Sequence, residues 1–277
     1  SHVVVSEEEV LTYGNLSAAR IAETMERLNN IFSGKATRNA AGVNTGIQFV
    51  LAQYNPAGEL MDEPGINRVT VEEVTEGTPP DKYHRFLSQN NAIWPHEKYL
   101  NIWLMSETKY PKFWNSITKL CVPKYRLGSE TLPGLSLPPV PSTWVPKVEQ
   151  IGILFRMSTF QYFQRSIDAT AERELVTCIG NYLGLLDTWK INNSNVNDQC
   201  NDTFAYGIVN NNGSLGTNSS WSKEVGSYRF LSENIMDDPT GTHRSVSKDQ
   251  ALRMYWVLKN CAGRSMWQSD FALTGKE

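Results

Sequence analysis

The segment from residue 168 to residue 186, with the sequence DATAERELVTCIGNYLGLL, constrains the fold of this chain more than any other. An acidic residue and a threonine stand near its start, a glycine stands near its end, and apolar side chains recur between them at helical spacing. An apolar stripe of this width predicts a buried helix, which the rest of the chain has to cover. The apolar positions are Leu175, Val176, Ile179, Tyr182 and Leu183.

The rest of the chain is large enough to bury such a helix. With 277 residues, 40% of them hydrophobic, a chain hides roughly three quarters of its unfolded surface without needing disulfide bonds. The net charge of -3 at pH 7 gives no basic surface, so nucleic acid is not expected as a partner. No run reaches the roughly 18 to 20 apolar residues of a membrane span, and residues 1–15 lack the basic and apolar segments of a signal peptide.

Around this helix, the sequence predicts a mixed α/β body and, after it, an irregular region. Ser17 and Ser247 are placed to cap two further helices, and Gly34 follows the first of them. Short runs of apolar and β-branched residues predict strands. The predicted helices span residues 17–32, 82–87 and 247–258, the predicted strands span 46–54, 67–74, 99–105 and 150–157, and the proline-rich 121–147 and asparagine-rich 192–220 are predicted to be irregular.

Two motifs connect the buried helix with a segment about fifty residues later. The helix continues as TCIGNYLGLLD, from Thr177 to Asp187, and residues 233–237 read ENIMD. Together they resemble the pappalysin family of metzincin zinc metalloproteinases, whose active-site helix reads HE[IL]GHYLGLx[HD] and whose Met-turn reads NIMDY. YLNIW at 99–103 and IQF at 47–49 are similar to two strands of that family. The resemblance covers roughly residues 17 to 260.

The resemblance implies a metzincin-like α/β (α+β) fold with a mixed, mainly parallel, twisted sheet and an active-site helix. It implies an N-terminal extension at 1–16, an N-terminal subdomain at 17–187, and a loop-rich C-terminal subdomain at 188–277 with the Met-turn at Met236 and a terminal helix. Members of the family act outside the cytoplasm. The chain is therefore expected to be secreted or lipid-anchored at the cell surface.

The chain departs from the family pattern at the metal-binding positions. Residues four apart on a helix share one face, and a glycine three residues later lets the chain turn back and supply a third ligand. Thr177 and Asn181 replace the two helical histidines, Cys178 replaces the catalytic glutamate, and Asp187 alone remains an accepted ligand. Asp238 replaces the tyrosine after the turn. Because a hydroxyl and an amide are poor zinc ligands, no zinc and no cofactor are expected.

The histidines of the chain offer no substitute ligands. They are His2, His84, His96 and His243, and none lies in the active-site segment. His96 begins the sequence HEKYL, but a leucine stands where the second histidine of a zinc-binding helix would be. This segment is predicted to be a surface turn.

These residues predict a pseudoprotease of the pappalysin type, inactive as an enzyme, whose cleft binds an extended peptide or protein. Main-chain pairing with a sheet edge does not require the metal. Two alternatives remain open. One is an active metallopeptidase or hydrolase with an atypical centre that uses Cys178 and Asp187, either with zinc or with a thiolate and His243 as its base. The other is a structural interaction module in which side chains fill the cleft.

The loop that contains NDQCNDT, residues 197–203, carries oxygen side chains at Asp198, Asp202 and Thr203. They are candidate calcium ligands, because the segment is similar to a region of the family that can bind calcium. A solvated Asn/Asp loop is the alternative. Of the four cysteines, Cys200 and Cys261 are the favoured pair if one disulfide bond forms, since both stand in polar surroundings.

Overall fold

A computed structural model gives the structure of most of the elements that the sequence predicts. It describes residues 2–5, 16–70, 87–105, 120–121, 151–156, 170–191, 197–208, 222–225, 228–238, 241–260 and 264–269. The elements, in chain order, are β1 (His2–Val5), α1 (Ala18–Phe32), β2 (Asn67–Thr70), β3 (Ile102–Met105), β4 (Leu120–Cys121), β5 (Ile153–Arg156), α2 (Thr170–Tyr182), β6 (Trp189–Ile191), β7 (Tyr206–Ile208), β8 (Ser222–Val225), β9 (Tyr228–Leu231), α3 (Lys248–Asn260) and a 3-10 turn (Ser265–Gln268).

The main sheet has five strands in the order β2-β1-β3-β5-β4. The pairs β1–β2, β1–β3 and β3–β5 are parallel, and β4 alone runs antiparallel, beside β5. Trp103 and Leu104 on β3 and Ile153 and Leu154 on β5 are all buried. Strands that are covered on both faces read as continuous apolar runs. The predicted mixed, mainly parallel sheet is confirmed.

Helix α1 forms where its apolar spacing predicts it. The Ser17 side chain accepts a hydrogen bond from the backbone N–H of Arg20 and so caps the first turn. The helix ends at Phe32, and Gly34 follows with φ +74°, a left-handed conformation that favours glycine. Ile21 and Leu28 are among the side chains that it buries in the core.

Helix α2 is the buried helix on which the fold depends. From Leu175 onward its side chains are almost all buried, and α1 packs against it. The apolar core around α2 draws residues from α1, β3, β5, α3 and the turn at 234–237. The element that positions the candidate site is therefore held from several sides.

The segment at 46–54, predicted to be a strand, forms none. The backbone of Phe49, within this segment, pairs with a side chain rather than with another strand. Asn29 on α1 donates from Nδ2 to the Phe49 carbonyl at 2.9 Å and accepts from the Phe49 N–H at 2.7 Å. The carboxamide of Asn29 thus takes the place that a neighbouring strand would have.

Further expectations concern the N-terminal residues, a disulfide bond and the subdomains. Residues 2–5, placed in an N-terminal extension by the sequence analysis, form β1, an inner strand of the main sheet between β2 and β3, because HVVV supplies three consecutive β-branched residues. Cys200 is a buried thiol that forms no disulfide bond with a described residue. Its favoured partner Cys261 lies outside those residues, so the bridge between the two stays a prediction. The division into subdomains itself stays a prediction. Most of the predicted 82–87 helix and nearly all of 121–147 also lie outside the described residues.

Candidate functional site

Thr177 lies on the face of α2 that meets the turn at 234–237. It is buried, and its Oγ1 donates to the Ile235 carbonyl at 2.8 Å. His243 Nδ1 lies 3.3 Å from Thr177 Oγ1, while His243 Nε2 lies 2.9 Å from the Asp238 carbonyl. The hydroxyl at the first ligand position is therefore committed to contacts within the chain.

Asn181 lies one turn further along α2 and reaches Asp187. Its Nδ2 contacts the Thr177 carbonyl at 3.1 Å and Asp187 Oδ1 at 3.3 Å. Both side chains are half-buried, so this end of the site reaches the surface whereas Thr177 does not. The fold brings the three predicted ligand positions together, and the amide nitrogen of Asn181 acts there as a donor.

Cys178 follows Thr177 on α2. It is fully buried and belongs to the apolar core. The His243 ring contacts the Thr177 hydroxyl. A cysteine in such surroundings behaves as a small hydrophobic residue.

The turn at 234–237 fixes the floor of the site. Its Met236 is fully buried, and its Asn234 accepts from the Met236 N–H through Oδ1 at 2.9 Å. The Asn234 and Gln250 carboxamides bond reciprocally, at 2.8 and 2.9 Å. Gln250 also exchanges hydrogen bonds with Ser247 in a capping box at the start of α3. One buried amide pair thus joins the turn to α3.

Two buried carboxylates lie at the end of the turn, on Asp237 and Asp238. Asp237 accepts hydrogen bonds from Thr188 Oγ1 at 3.0 Å and from the Asn234 N–H at 3.1 Å. The Tyr206 hydroxyl donates to Asp238 Oδ2 at 2.7 Å. Burial first, and then the two carboxylates, raise the pKa of Tyr206 above its ordinary value. Asp238, predicted from the resemblance to replace a tyrosine, is thus held inside the protein.

Two buried arginines bind the carboxyl end of α2. Arg253 Nε donates to the Gly184 carbonyl at 2.7 Å, and Arg264 Nε donates to the Tyr182 carbonyl at 2.8 Å. The guanidinium of Arg264 also lies 3.7 Å from the centroid of the Tyr182 ring. Cationic groups at the carboxyl end of a helix interact favourably with its dipole. They fix the point at which the chain turns back toward Asp187.

The three candidate calcium ligands take part in two separate sets of hydrogen bonds. Thr203 Oγ1 donates to Asp198 Oδ2 at 2.5 Å. Asp202 instead accepts from Ser247 Oγ at 2.6 Å and from the Asp249 N–H at 2.9 Å, at the start of α3. Calcium binding stays a prediction, which a calcium-dependent rise in Tm would test.

Burial affects two ionisable groups in this loop. It raises the pKa of the Asp198 carboxyl, although the hydrogen bonds that this group accepts act in the opposite direction. It also raises the pKa of the Cys200 thiol to about 12. A thiol with so high a pKa is a poor nucleophile at neutral pH.

The residues at the predicted ligand positions do not fit zinc. Among the described residues, no group of three or more His, Cys, Asp or Glu side chains could hold a metal ion. The Thr177 hydroxyl and the Asn181 amide nitrogen are occupied by groups of the chain itself, and neither a hydroxyl nor an amide is a zinc ligand of useful affinity. Asp187 alone offers a carboxylate.

Sequence reasoning missed several residues that shape this site. His243 was considered only as a base for Cys178, and its contact with Thr177 has no local signal because 66 positions separate the two residues. Arg253 and Arg264 were not singled out by the sequence analysis. Gln250 had a usable signal, since Ser247 three residues before it completes the pattern of a capping box.

Comparison with solved structures gives the fold. Mature mirolysin of Tannerella forsythia in complex with a cleaved peptide matches with a TM-score of 0.63 and 20% identity, over 98% of this chain and 96% of that one. A promirolysin mutant of the same organism matches with a TM-score of 0.61 and 20% identity, over 96% of this chain and 81% of the other. Mirolysin in complex with an added compound matches with a TM-score of 0.62 and 18% identity, over 98% and 96%.

These matches confirm a metzincin-like fold along nearly the whole chain. Neither the protein-family models nor the curated proteins gave a match. In the described part of the chain, no helix is long and apolar enough to cross a membrane.

Proposed function

We propose that this protein is a zinc-free relative of the metzincin peptidases that binds an extended peptide or protein segment without cleaving it. One observation carries the proposal. At the two predicted helical ligand positions, Thr177 donates a hydrogen bond to the Ile235 carbonyl and Asn181 donates one to Asp187. A site built in this way keeps the scaffold of a peptidase and offers no set of ligands to zinc.

The loss of catalysis follows from the missing groups. Cys178 replaces the general base, whose removal alone costs a factor of about 10² to 10⁴ in rate. Without a metal there is also no activated water to attack the peptide bond. Asp237 and Asp238 do not replace the base, because both are buried and hydrogen-bonded to neighbouring groups.

Binding does not need these groups. A partner chain can add as a strand to a sheet edge through main-chain hydrogen bonds alone. Mirolysin has been solved in complex with a cleaved peptide, which supports a peptide as the kind of partner. Asn181 and Asp187 are half-buried and provide polar contacts at the surface. The same likeness supports an extracytoplasmic location, secreted or lipid-anchored.

Metal analysis and hydrolysis assays test the enzymatic half of the proposal. The purified full chain is analysed by mass spectrometry for bound metals and incubated with a mixed set of fluorescence-quenched peptides, with and without EDTA. We expect no stoichiometric zinc and no cleavage that EDTA abolishes. Stoichiometric zinc together with EDTA-sensitive cleavage would overturn the proposal.

Peptide arrays test the binding half. Asn181→Trp should weaken the binding of captured peptides, because the indole would cover the half-buried end of the site. Glu26→Trp, on the exposed face of α1, is the matched control and should leave binding unchanged. Binding that both variants retain equally would show that the peptides attach elsewhere.

A structural module with a filled cleft is the second candidate function. It is favoured by the burial of Thr177, which is only 1% exposed, against the turn and His243. A folded protein that binds no peptide in any array would establish this candidate instead. Chemistry at Cys178 is disfavoured because the side chain is fully buried. If hydrolysis is found, Cys178→Ala should leave its rate unchanged.

A further inference from the structure

The loop at 53–61 presents an exposed leucine in a fixed conformation. Asn55 Oδ1 accepts a hydrogen bond from the Glu59 N–H at 3.0 Å, and the Asn55 N–H donates to the Glu59 carbonyl at 2.9 Å. Leu60 then forms an antiparallel bridge with Tyr54. Leu60 is 70% exposed, the largest exposed fraction among the large apolar side chains of the described residues. A loop that is already ordered loses little conformational freedom when it binds a partner.

An apolar pocket of about 180 Å³ lies at the base of this loop. Ala52 and Gly65, on either side of the loop, both line the pocket, and the Gly65 N–H donates to the Ala52 carbonyl at 2.6 Å. Tyr99, also in the lining, donates from its hydroxyl to the Tyr54 carbonyl at 2.9 Å. An apolar cavity of about 150 Å³ accommodates benzene, so this pocket has room for the four carbons of a leucine side chain.

Exposed apolar side chains concentrate around the loop and the pocket. Of the seven exposed large apolar side chains in the described part of the chain, four belong to one or the other. They are Val50, Tyr54, Leu60 and Trp267. Apolar side chains scattered singly are ordinary on a protein surface, whereas a concentration of them marks a site of contact with another protein.

The loop and the pocket complement each other in shape and charge. Leu60 does not fill the pocket of its own chain, because it is exposed. The loop carries the carboxylate of Glu59, Asp62 follows it, and residues 53–62 contain no cationic side chain. Among the described residues that line the pocket, none is acidic. The acidic loop of a second copy therefore meets no charge of its own sign in the pocket.

We propose that two copies of this chain form a two-fold dimer in which Leu60 of each copy enters the pocket of the other. In a two-fold interface the same surface of both copies meets. Because the loop starts at the edge of the pocket, one axis brings both reciprocal contacts into a single interface, which closes at two chains. The dimer surface is separate from the candidate site, since neither Thr177, Asn181 nor Asp187 lines the pocket. Dimer formation is thus independent of the proposed function.

Sedimentation equilibrium of the full chain tests the proposal. The protein is examined between about 1 and 200 µM, a range that covers the dissociation constants of weak and moderately tight dimers. We expect the average mass to rise with concentration from one chain to two and to stop there. A monomer throughout this range, or a mass that continues to rise beyond two chains, would overturn the proposal.

A pair of matched leucine variants locates the contact on the loop. Leu60→Ser removes the apolar side chain that enters the pocket, so this variant should stay monomeric over the same concentrations. Leu252→Ser is the control, because it removes a leucine that is 44% exposed on α3, outside the loop and the pocket. It should dimerise as wild type does. If the two variants dimerise equally, the proposal is wrong.

Mixing two variants tests whether the loop binds this pocket. Val50→Glu places a carboxylate in the lining at an exposed position, and this variant should be monomeric by itself. Mixed with Leu60→Ser, it should associate, because its loop still fits the intact pocket of the Leu60→Ser chain and one of the two contacts remains. Circular dichroism checks that both variants are folded. A mixture that associates no more than the separate variants do would overturn the proposal.

Discussion

Gly180 of helix α2 lies directly against Met236 of the turn. A Cβ atom at position 180 would stand 2.6 Å from the Met236 sulfur. The sulfur cannot simply yield, because Met236 is itself fully buried. This contact sets the distance between the helix and the floor of the candidate site, and only glycine permits it.

Gly180→Ala should therefore destabilise the protein although alanine favours helices. Overpacking costs about 1 to 3 kcal/mol, which exceeds the gain of about 1 kcal/mol from helix propensity. Urea unfolding measures the net loss. In a Met236→Ala background the same substitution should become stabilising, because the clash has been removed. A loss of equal size in both backgrounds would mean that the contact with Met236 is not its cause.

Arg264→Met should destabilise the protein by about 2 kcal/mol. The substitution removes a charged hydrogen bond to the Tyr182 carbonyl and the stacking of the guanidinium on the Tyr182 ring, while keeping an apolar stem of similar length. Arg38→Met, at an exposed position, is the control and should change stability by less than about 0.5 kcal/mol. Equal effects of the two substitutions in urea unfolding would contradict the role given to Arg264.

The sequence predicted best where the pattern was local. Helix α2 and its burial follow from the apolar spacing between Leu175 and Leu183, and α1 follows from its N-cap at Ser17 and the glycine after its end. These features depend on neighbours along the chain, so they can be recognised without coordinates. The matches to mirolysin agree with the metzincin-like fold that the motifs implied.

The contacts that sequence reasoning missed join distant positions. The pairing of Asn29 with Phe49 replaces a predicted strand, and the contact of His243 with Thr177 crosses 66 residues. Neither has a periodic signal, since each depends on how packed elements face one another. The sequence therefore proposes positions for the candidate site, whereas it does not predict which groups form hydrogen bonds with the side chains at those positions.

The burial of Asp198 should make stability depend on pH. Its pKa is raised in the folded protein, so the native state holds this proton more tightly than the unfolded chain does. The stability contributed by this group is present below the ordinary pKa of Asp, near 4, and is lost as pH rises through the raised pKa.

Asp198→Asn should remove this dependence on pH, so that the free energy of unfolding of the variant rises relative to that of wild type between about pH 4 and neutrality. Asn197→Ala keeps the carboxylate and should retain the wild-type slope. Parallel pH profiles for wild type and Asp198→Asn would contradict the assignment.

A zinc site should be recoverable on helix α2. Thr177→His, Cys178→Glu and Asn181→His restore the family's residues, and Asp187 already lies within 3.3 Å of the side chain at 181. An imidazole at 177 would meet His243, whose Nδ1 is 3.3 Å from the present hydroxyl. His243→Gly makes room for it and suits the φ of +52° at that position.

The quadruple variant should therefore bind about one zinc ion per chain, and more tightly than the triple variant does. Metal analysis after dialysis, together with a zinc-dependent rise in Tm, measures both. Adding Asp187→Asn is the control and should weaken zinc binding, because it removes the third ligand. A folded quadruple variant that takes up no zinc would mean that positions 177, 181 and 187 do not correspond to the metal ligands of the metzincins.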